Sequence, residues 1–190
     1  MVEALSNVMT AFGLSTSAGL NAYLPLLIVA LTARFTNLIQ LNEPWNVLTS
    51  WWVIGVLVVL LLIEMTVDKI PAVDTVNDII QTVGRPAAGA ILFAANSGVV
   101  GELHPAFALV AGLLLAGGVH AAKTTVRPVV TASTGGMGNW AVSIIEDILA
   151  FIGTVMAILL PLLLFLTVIF LAILYFWWRN RRRRERPATV

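Results

Sequence analysis

The chain has 190 residues, 59% of them hydrophobic and only 11% charged, with a mean hydropathy of +0.94. A soluble globular domain carries about 25% charged residues, so this composition excludes an ordinary water-soluble fold and predicts an integral membrane protein. The formal net charge of +1 conceals an asymmetry: Arg179, Arg181, Arg182, Arg183, Arg184 and Arg186 hold six of the eleven bases, leaving a body of five bases against nine acids. The absence of cysteine removes disulfides, thiol nucleophiles and cysteine-based metal sites.

The first ten residues contain no Lys or Arg, so a cleavable signal peptide is not expected and the first apolar segment should remain as a span. From Ala4 to Ala33 the chain is uncharged. This run opens with small and polar residues, Gly13, Ser15, Thr16, Ser17, Gly19 and Asn21, and holds Pro25 midway. Small residues let helices approach closely and proline kinks or breaks them. A first span over residues 14–32, broken near Asn21, is the expectation. Residues 34–49 read as a polar loop, and a second span begins at Ser50 or Trp51 and runs into Glu64, Asp68, Lys69, Asp74 and Asp78. Charges at the edge of a span are costly and mark a functional site by default.

Residues 74–85 are too polar to span. At about 100° per residue, Asp74, Asp78, Gln81 and Arg85 fall within roughly 60° of one another, which predicts a short amphipathic helix. Residues 86–100 are apolar but short, a half-helix or a thin span. Another span is expected over residues 105–122, with His120, Lys123 and Arg127 on one face at its end. A flexible connector, residues 133–139, follows, with Asn139 as the expected helix N-cap. The next helix carries Ser143, Glu146 and Asp147 on one side. Residues 148–178 then hold no ionisable side chain except Tyr175. As one helix they would be about 46 Å long, against a hydrocarbon core of roughly 30 Å. Either Gly153 or Pro161 breaks the run into two elements, or a half-helix leads into a last span near Val155 to Trp178. The aromatic cluster Tyr175, Phe176, Trp177 and Trp178, followed by arginines, has the form of a last span ending on the cytoplasmic side.

Thr82-Val83-Gly84-Arg85-Pro86 echoes Thr125-Val126-Arg127-Pro128, which raises an inverted repeat of the kind small transporters use. Several motifs together carry a family resemblance: Gly19-Leu20-Asn21-Ala22-Tyr23-Leu24-Pro25; the spaced Glu64, Asp68, Lys69, Pro71, Asp74 and Asp78; Arg85-Pro86; His120, Lys123 and Arg127-Pro128; and Ser143, Glu146 and Asp147. From about Gly13 to Pro161 the chain resembles the bacterial membrane-protein family catalogued as domain of unknown function 4126. The resemblance implies a polytopic membrane protein whose charged motifs form one site, and names no substrate.

The residues themselves leave several chemistries open. Glu64 with Asp68, and Asp74 with Asp78, are spaced i, i+4; such carboxylate pairs can share a proton or a cation. His120 is the candidate proton relay. Lys69, Arg85, Lys123 and Arg127 could instead clamp a phosphate or carboxylate. Arg85 and Arg127, each before a proline able to start a helix, would then stand near helix N-termini, where anions bind. All of these charges could also simply pair and hold the helices together. Carboxylate oxygens would suit a hard divalent cation, and the metal question stays open. His104 and His120 lack the spacing of a zinc site. Ser143, His120 and Asp147 contain the residue types of a catalytic triad without its sequence context. No nucleotide or phosphate-loop fingerprint occurs, and no cofactor is expected.

The expectation is thus an all-α polytopic integral membrane protein of about five or six transmembrane helices, at least one of them broken or re-entrant. Residues 1–178 form one transmembrane domain and residues 179–190 a basic cytoplasmic tail. The expected location is the bacterial inner membrane, and the expected activity is non-enzymatic, proton-coupled transport or channelling of a small ion or polar solute. The site would comprise Asn21, Glu64, Asp68, Lys69, Asp74, Asp78, Arg85, Lys123, Arg127, Glu146 and Asp147, with His120 relaying protons. The alternatives are a carrier of anionic lipid or lipid phosphate, a membrane enzyme acting on lipid, and a non-catalytic assembly factor. The partners expected are the lipid bilayer, the transported ligand and a second copy of the chain, with no nucleic acid.

Overall fold

Apolar runs rich in Leu, Ala and Ile, with no alternating pattern, favour helices. A computed structural model describes residues 2–41, 43–67, 71–96, 104–135 and 137–184. Among these residues there are seven α-helices: α1 (Val2–Ala18), α2 (Tyr23–Phe35), α3 (Trp51–Val67), α4 (Pro71–Ala95), α5 (Pro105–Thr134), α6 (Met137–Leu159) and α7 (Pro161–Arg184). A 3₁₀ turn, Trp45–Thr49, precedes α3.

The break near Asn21 is a reversal. Gly19 N donates to Thr16 O at 3.1 Å, and Leu20 N and Asn21 N donate to Ser17 O at 3.0 and 3.2 Å, closing the last turn of α1. The chain then folds back as α2. At the far end of this hairpin Ser6, Asn7 and Thr10 of α1 lie beside residues 37–40, which follow α2. Gly19 is required here by space: a β-carbon would stand 2.6 Å from the Ala116 carbonyl oxygen.

Helices α4 and α5 run antiparallel in the closest packing of the fold. A β-carbon at Gly89 would collide with Ala116 and stand 2.7 Å from the Gly112 carbonyl oxygen. One at Gly112 would collide with the Gly89 carbonyl and stand 2.7 Å from Phe93 Cβ. The hydroxyl of Ser15 donates to the Gly89 carbonyl at 2.8 Å and ties α1 to this pair. On its other side α1 packs along α6, where Ser17 Oγ lies 2.6 Å from the place a β-carbon on Gly153 would take.

Several expected boundaries move. The amphipathic segment 74–85 and the apolar segment 86–95 are one helix, α4, which continues through Pro86. Likewise α5 continues past residue 122 and through Pro128 to Thr134, where Gly135 ends it at φ 62°. Internal proline removes one helix hydrogen bond, a loss tolerated where neighbouring helices hold the backbone. The long apolar run does break at Pro161, the first residue of α7.

Burial is reversed relative to a soluble protein. Arg85, Glu64 and Asn21 are 0%, 1% and 1% exposed, whereas Trp52, Leu114 and Phe170 are 88%, 65% and 60% exposed. Helices α5 and α6 are long and apolar enough to cross a membrane by length and composition, and α2 and α3 are shorter apolar helices. Contiguous apolar surface on this scale is foreign to water-facing monomers.

Gly112→Ala should lower unfolding stability in detergent micelles by about 1–3 kcal/mol, because the close α4–α5 contact must open. At Gly118, where a β-carbon would meet nothing within 4 Å, alanine should instead stabilise by up to about 1 kcal/mol through helix propensity. Equal effects at both positions would contradict the packing described.

Candidate functional site

A helix leaves its first N–H groups and last carbonyls without partners inside the helix. The hairpin places one of each kind of end in the protein interior, at residues 19–23. In a dry setting each unsatisfied group costs several kcal/mol, roughly a lost hydrogen bond or more. The start of α2 is fully provided for. Ala22 N donates to Glu64 Oε1 and Oε2 at 3.3 and 3.2 Å, and Tyr23 N donates to Glu64 Oε2 at 3.5 Å. Leu24 N donates to the side-chain carbonyl of Asn21 at 2.9 Å. The next residue is Pro25, which has no N–H to satisfy.

Glu64 projects from α3 and also faces α4. Arg85 donates through Nε and Nη2 to Glu64 Oε1 at 3.3 and 3.1 Å. Its Nη1 stands 3.0 Å from His120 Nδ1 on α5. Since a guanidinium only donates, Nδ1 is the acceptor, and the imidazole proton lies on Nε2, 3.2 Å from Thr82 Oγ1. His120 in this arrangement is neutral and bridges the deep arginine to the exposed hydroxyl of Thr82.

The end of α1 is met by a cation. Lys123 Nζ donates to the Leu20 carbonyl at 3.4 Å and lies 2.9 Å from Glu146 Oε2. Arg127 Nη2 donates to the same Glu146 oxygen at 2.9 Å and to Ser143 Oγ at 3.0 Å. Asn21 Nδ2 donates to Asp147 Oδ1 at 2.9 Å. Three helices therefore each hold part of the reversal: α3 through Glu64, α5 through Lys123 and α6 through Asp147. A carboxylate at the helix start and an ammonium at the helix end both complement the helix dipoles.

The sequence expectations map onto this geometry unevenly. Asn21, Glu64, Arg85, His120, Lys123, Arg127, Glu146 and Asp147 come together. Asp68 and Lys69 lie outside the described residues, and of Asp74 and Asp78 only the backbone on α4 is described. Arg85 and Arg127 are mid-helix and not at helix N-termini, because α4 and α5 run through the prolines that follow them. The buried helix N-terminus is that of α2, and Glu64 occupies it. Asn139 does not cap α6; it lies within the helix and pairs with Thr131, whose Oγ1 is 2.9 Å from Asn139 Nδ2. Both nitrogens of His120 face Arg85 and Thr82, so it is not placed as a base for Ser143. Among the described residues no three His, Asp or Glu stand together as a metal site. Sequence reasoning missed Thr82 and the backbone groups of Leu20, Ala22 and Tyr23. Pro25 after Asn21 carried the signal, since proline is suited to the first turn of a helix.

A family model described as "Domain of unknown function (DUF4126)" matches residues 8–181. No curated protein and no solved structure matches the chain.

Glu64→Gln should destabilise the fold by about 3–5 kcal/mol, the cost of leaving a buried arginine without its counter-charge. Adding Arg85→Met should restore much of that loss, a coupling readable from a double-mutant cycle of chemical unfolding. If Glu64→Gln unfolds like wild type, the buried pair does not support the reversal.

Proposed function

Starting from the fact that the chain belongs to the family of domain of unknown function 4126, we propose that it is a small bacterial inner-membrane transporter or channel. Its cargo is an ion or small polar solute, moved with coupling to protons. The observation that carries this reading is the pair of helix ends buried in a balanced charge network. Amide groups at the start of α2 and the Leu20 carbonyl at the end of α1 face one interior. Interrupted helices of this kind form the binding centres of many secondary transporters. The network offers exchangeable partners: Glu64 holds the amide cluster as a free anion would, and His120 connects Arg85 to the exposed Thr82. The apolar outside supports residence in a bilayer. The arginines ending α7 favour the cytoplasmic side for that terminus by the positive-inside rule. Spans numbering about five or six, the inverted repeat around Arg85 and Arg127, and a homodimer complete the proposal.

A second reading has its own support. Glu64, Glu146 and Asp147 each have a described partner, as a charge network serving only to assemble the helices requires. One experiment separates the two. The full chain is reconstituted in vesicles with an entrapped pH dye, and a pH gradient is imposed with sodium, potassium or phosphate outside. Transport predicts proton movement that depends on one of these ions and is lost in Lys123→Gln and Asp74→Asn, both still folded. The assembly reading predicts no flux in any form, and lowered unfolding temperatures in the variants.

A further inference from the structure

At the open end of the hairpin, remote from the ion network, lies a separate cavity of about 290 Å³. Its polar lining is Ser6, Asn7 and Thr10 from α1, Asn37 and Gln40 from the segment after α2, and Asn96 from the end of α4. In a chain that is 59% hydrophobic, six residues with uncharged hydrogen-bonding side chains, from three distant segments, line this cavity. None of the described lining residues is ionisable.

The cavity is held by specific contacts. Asn96 is 7% exposed, and its Nδ2 donates to the Asn7 carbonyl at 3.3 Å. Its backbone pairs with Leu41 in an isolated antiparallel bridge, which draws the segment after α2 across to α4. Ile39, in the same segment, is buried in the main apolar core and anchors the wall. Thr10, 7% exposed, forms part of the α1 side.

Amides and hydroxyls both donate and accept but carry no charge. An ionic ligand would find no counter-charge among the described lining residues, and burying it would be expensive. A neutral ligand with several hydroxyls is chemically suited to such a lining. The volume lies at the small end of the roughly 300–1,000 Å³ of small-molecule sites. We propose that this pocket binds a small neutral polyol. The inference goes beyond the transport reading, since binding here requires neither flux nor a proton gradient.

The test is saturation-transfer NMR and calorimetry on the full chain in detergent micelles. The probes are glycerol and sorbitol, with sodium chloride and sodium phosphate as charged comparators. Wild type should bind a polyol saturably and neither salt. Asn96→Leu should weaken that binding by about tenfold, the loss expected for one or two hydrogen bonds. Asn37→Ala, on the exposed segment, should weaken it while leaving the unfolding temperature unchanged, and it decides the matter if Asn96→Leu does not fold. Absence of polyol binding by folded wild type, equal binding by wild type and Asn37→Ala, or preferential binding of either salt would each overturn the assignment. Polyol binding without ion-linked proton flux would support the pocket and count against ion transport; flux without polyol binding would overturn the pocket and support ion transport.

Discussion

The structure turns on a chain reversal buried where water is excluded. Two helix ends at residues 19–23 bring unpaired amides and a carbonyl into the interior, and such groups must find partners there. Glu64 meets the amides, Lys123 meets the carbonyl, and Asn21 links the turn to Asp147. Each of these partners is itself charged or bonded to a charge. Satisfying the turn therefore brings in Arg85 for Glu64, and Glu146 with Arg127 for Lys123. The resulting set, counted over the described side chains, is three carboxylates against three bases, and buried charges are tolerated where opposite ones stand beside them.

Packing delivers these groups to the turn. Gly89 and Gly112 let α4 and α5 approach until their backbones nearly touch, which sets Arg85 within reach of His120 on the neighbouring helix and of Glu64 on α3. On α5, His120, Lys123 and Arg127 continue the buried stripe of Ala108, Gly112 and Ala116. The same helical face thus serves close apolar packing in one half and ion pairing in the other. The opposite faces are apolar, which leaves the polar work to the inside.

Much of this was legible in the sequence, and the failures have physical causes. Clustered charges within apolar runs marked the network, because such charges are too costly to occur there idly. Helical spacing put His120, Lys123 and Arg127 on one face, and excess length pointed to an interruption, of which Pro161 was one candidate site and the one found. The reversal at Gly19 was not legible as such: hydropathy registers an uncharged run but not whether it crosses once or turns back, and the partner that satisfies the turn, Glu64, is remote in sequence. Arg85-Pro86 and Arg127-Pro128 were misplaced at helix starts because a proline serves equally at a first turn or, with packed neighbours, mid-helix. The cavity around Asn96 left no trace, since Asn7, Asn37 and Gln40 are individually ordinary polar residues that only the hairpin assembles.

The charges are also sorted by helix. Among the network's described side chains, Arg85, Lys123 and Arg127 belong to α4 and α5, while Glu64, Glu146 and Asp147 belong to α3 and α6. The two base-bearing helices meet at Gly89 and Gly112, where an added β-carbon on either would collide with the other helix. The ion pairs therefore do what glycine packing does not: they fasten the acid-bearing α3 and α6 to a pair of helices already closed against each other.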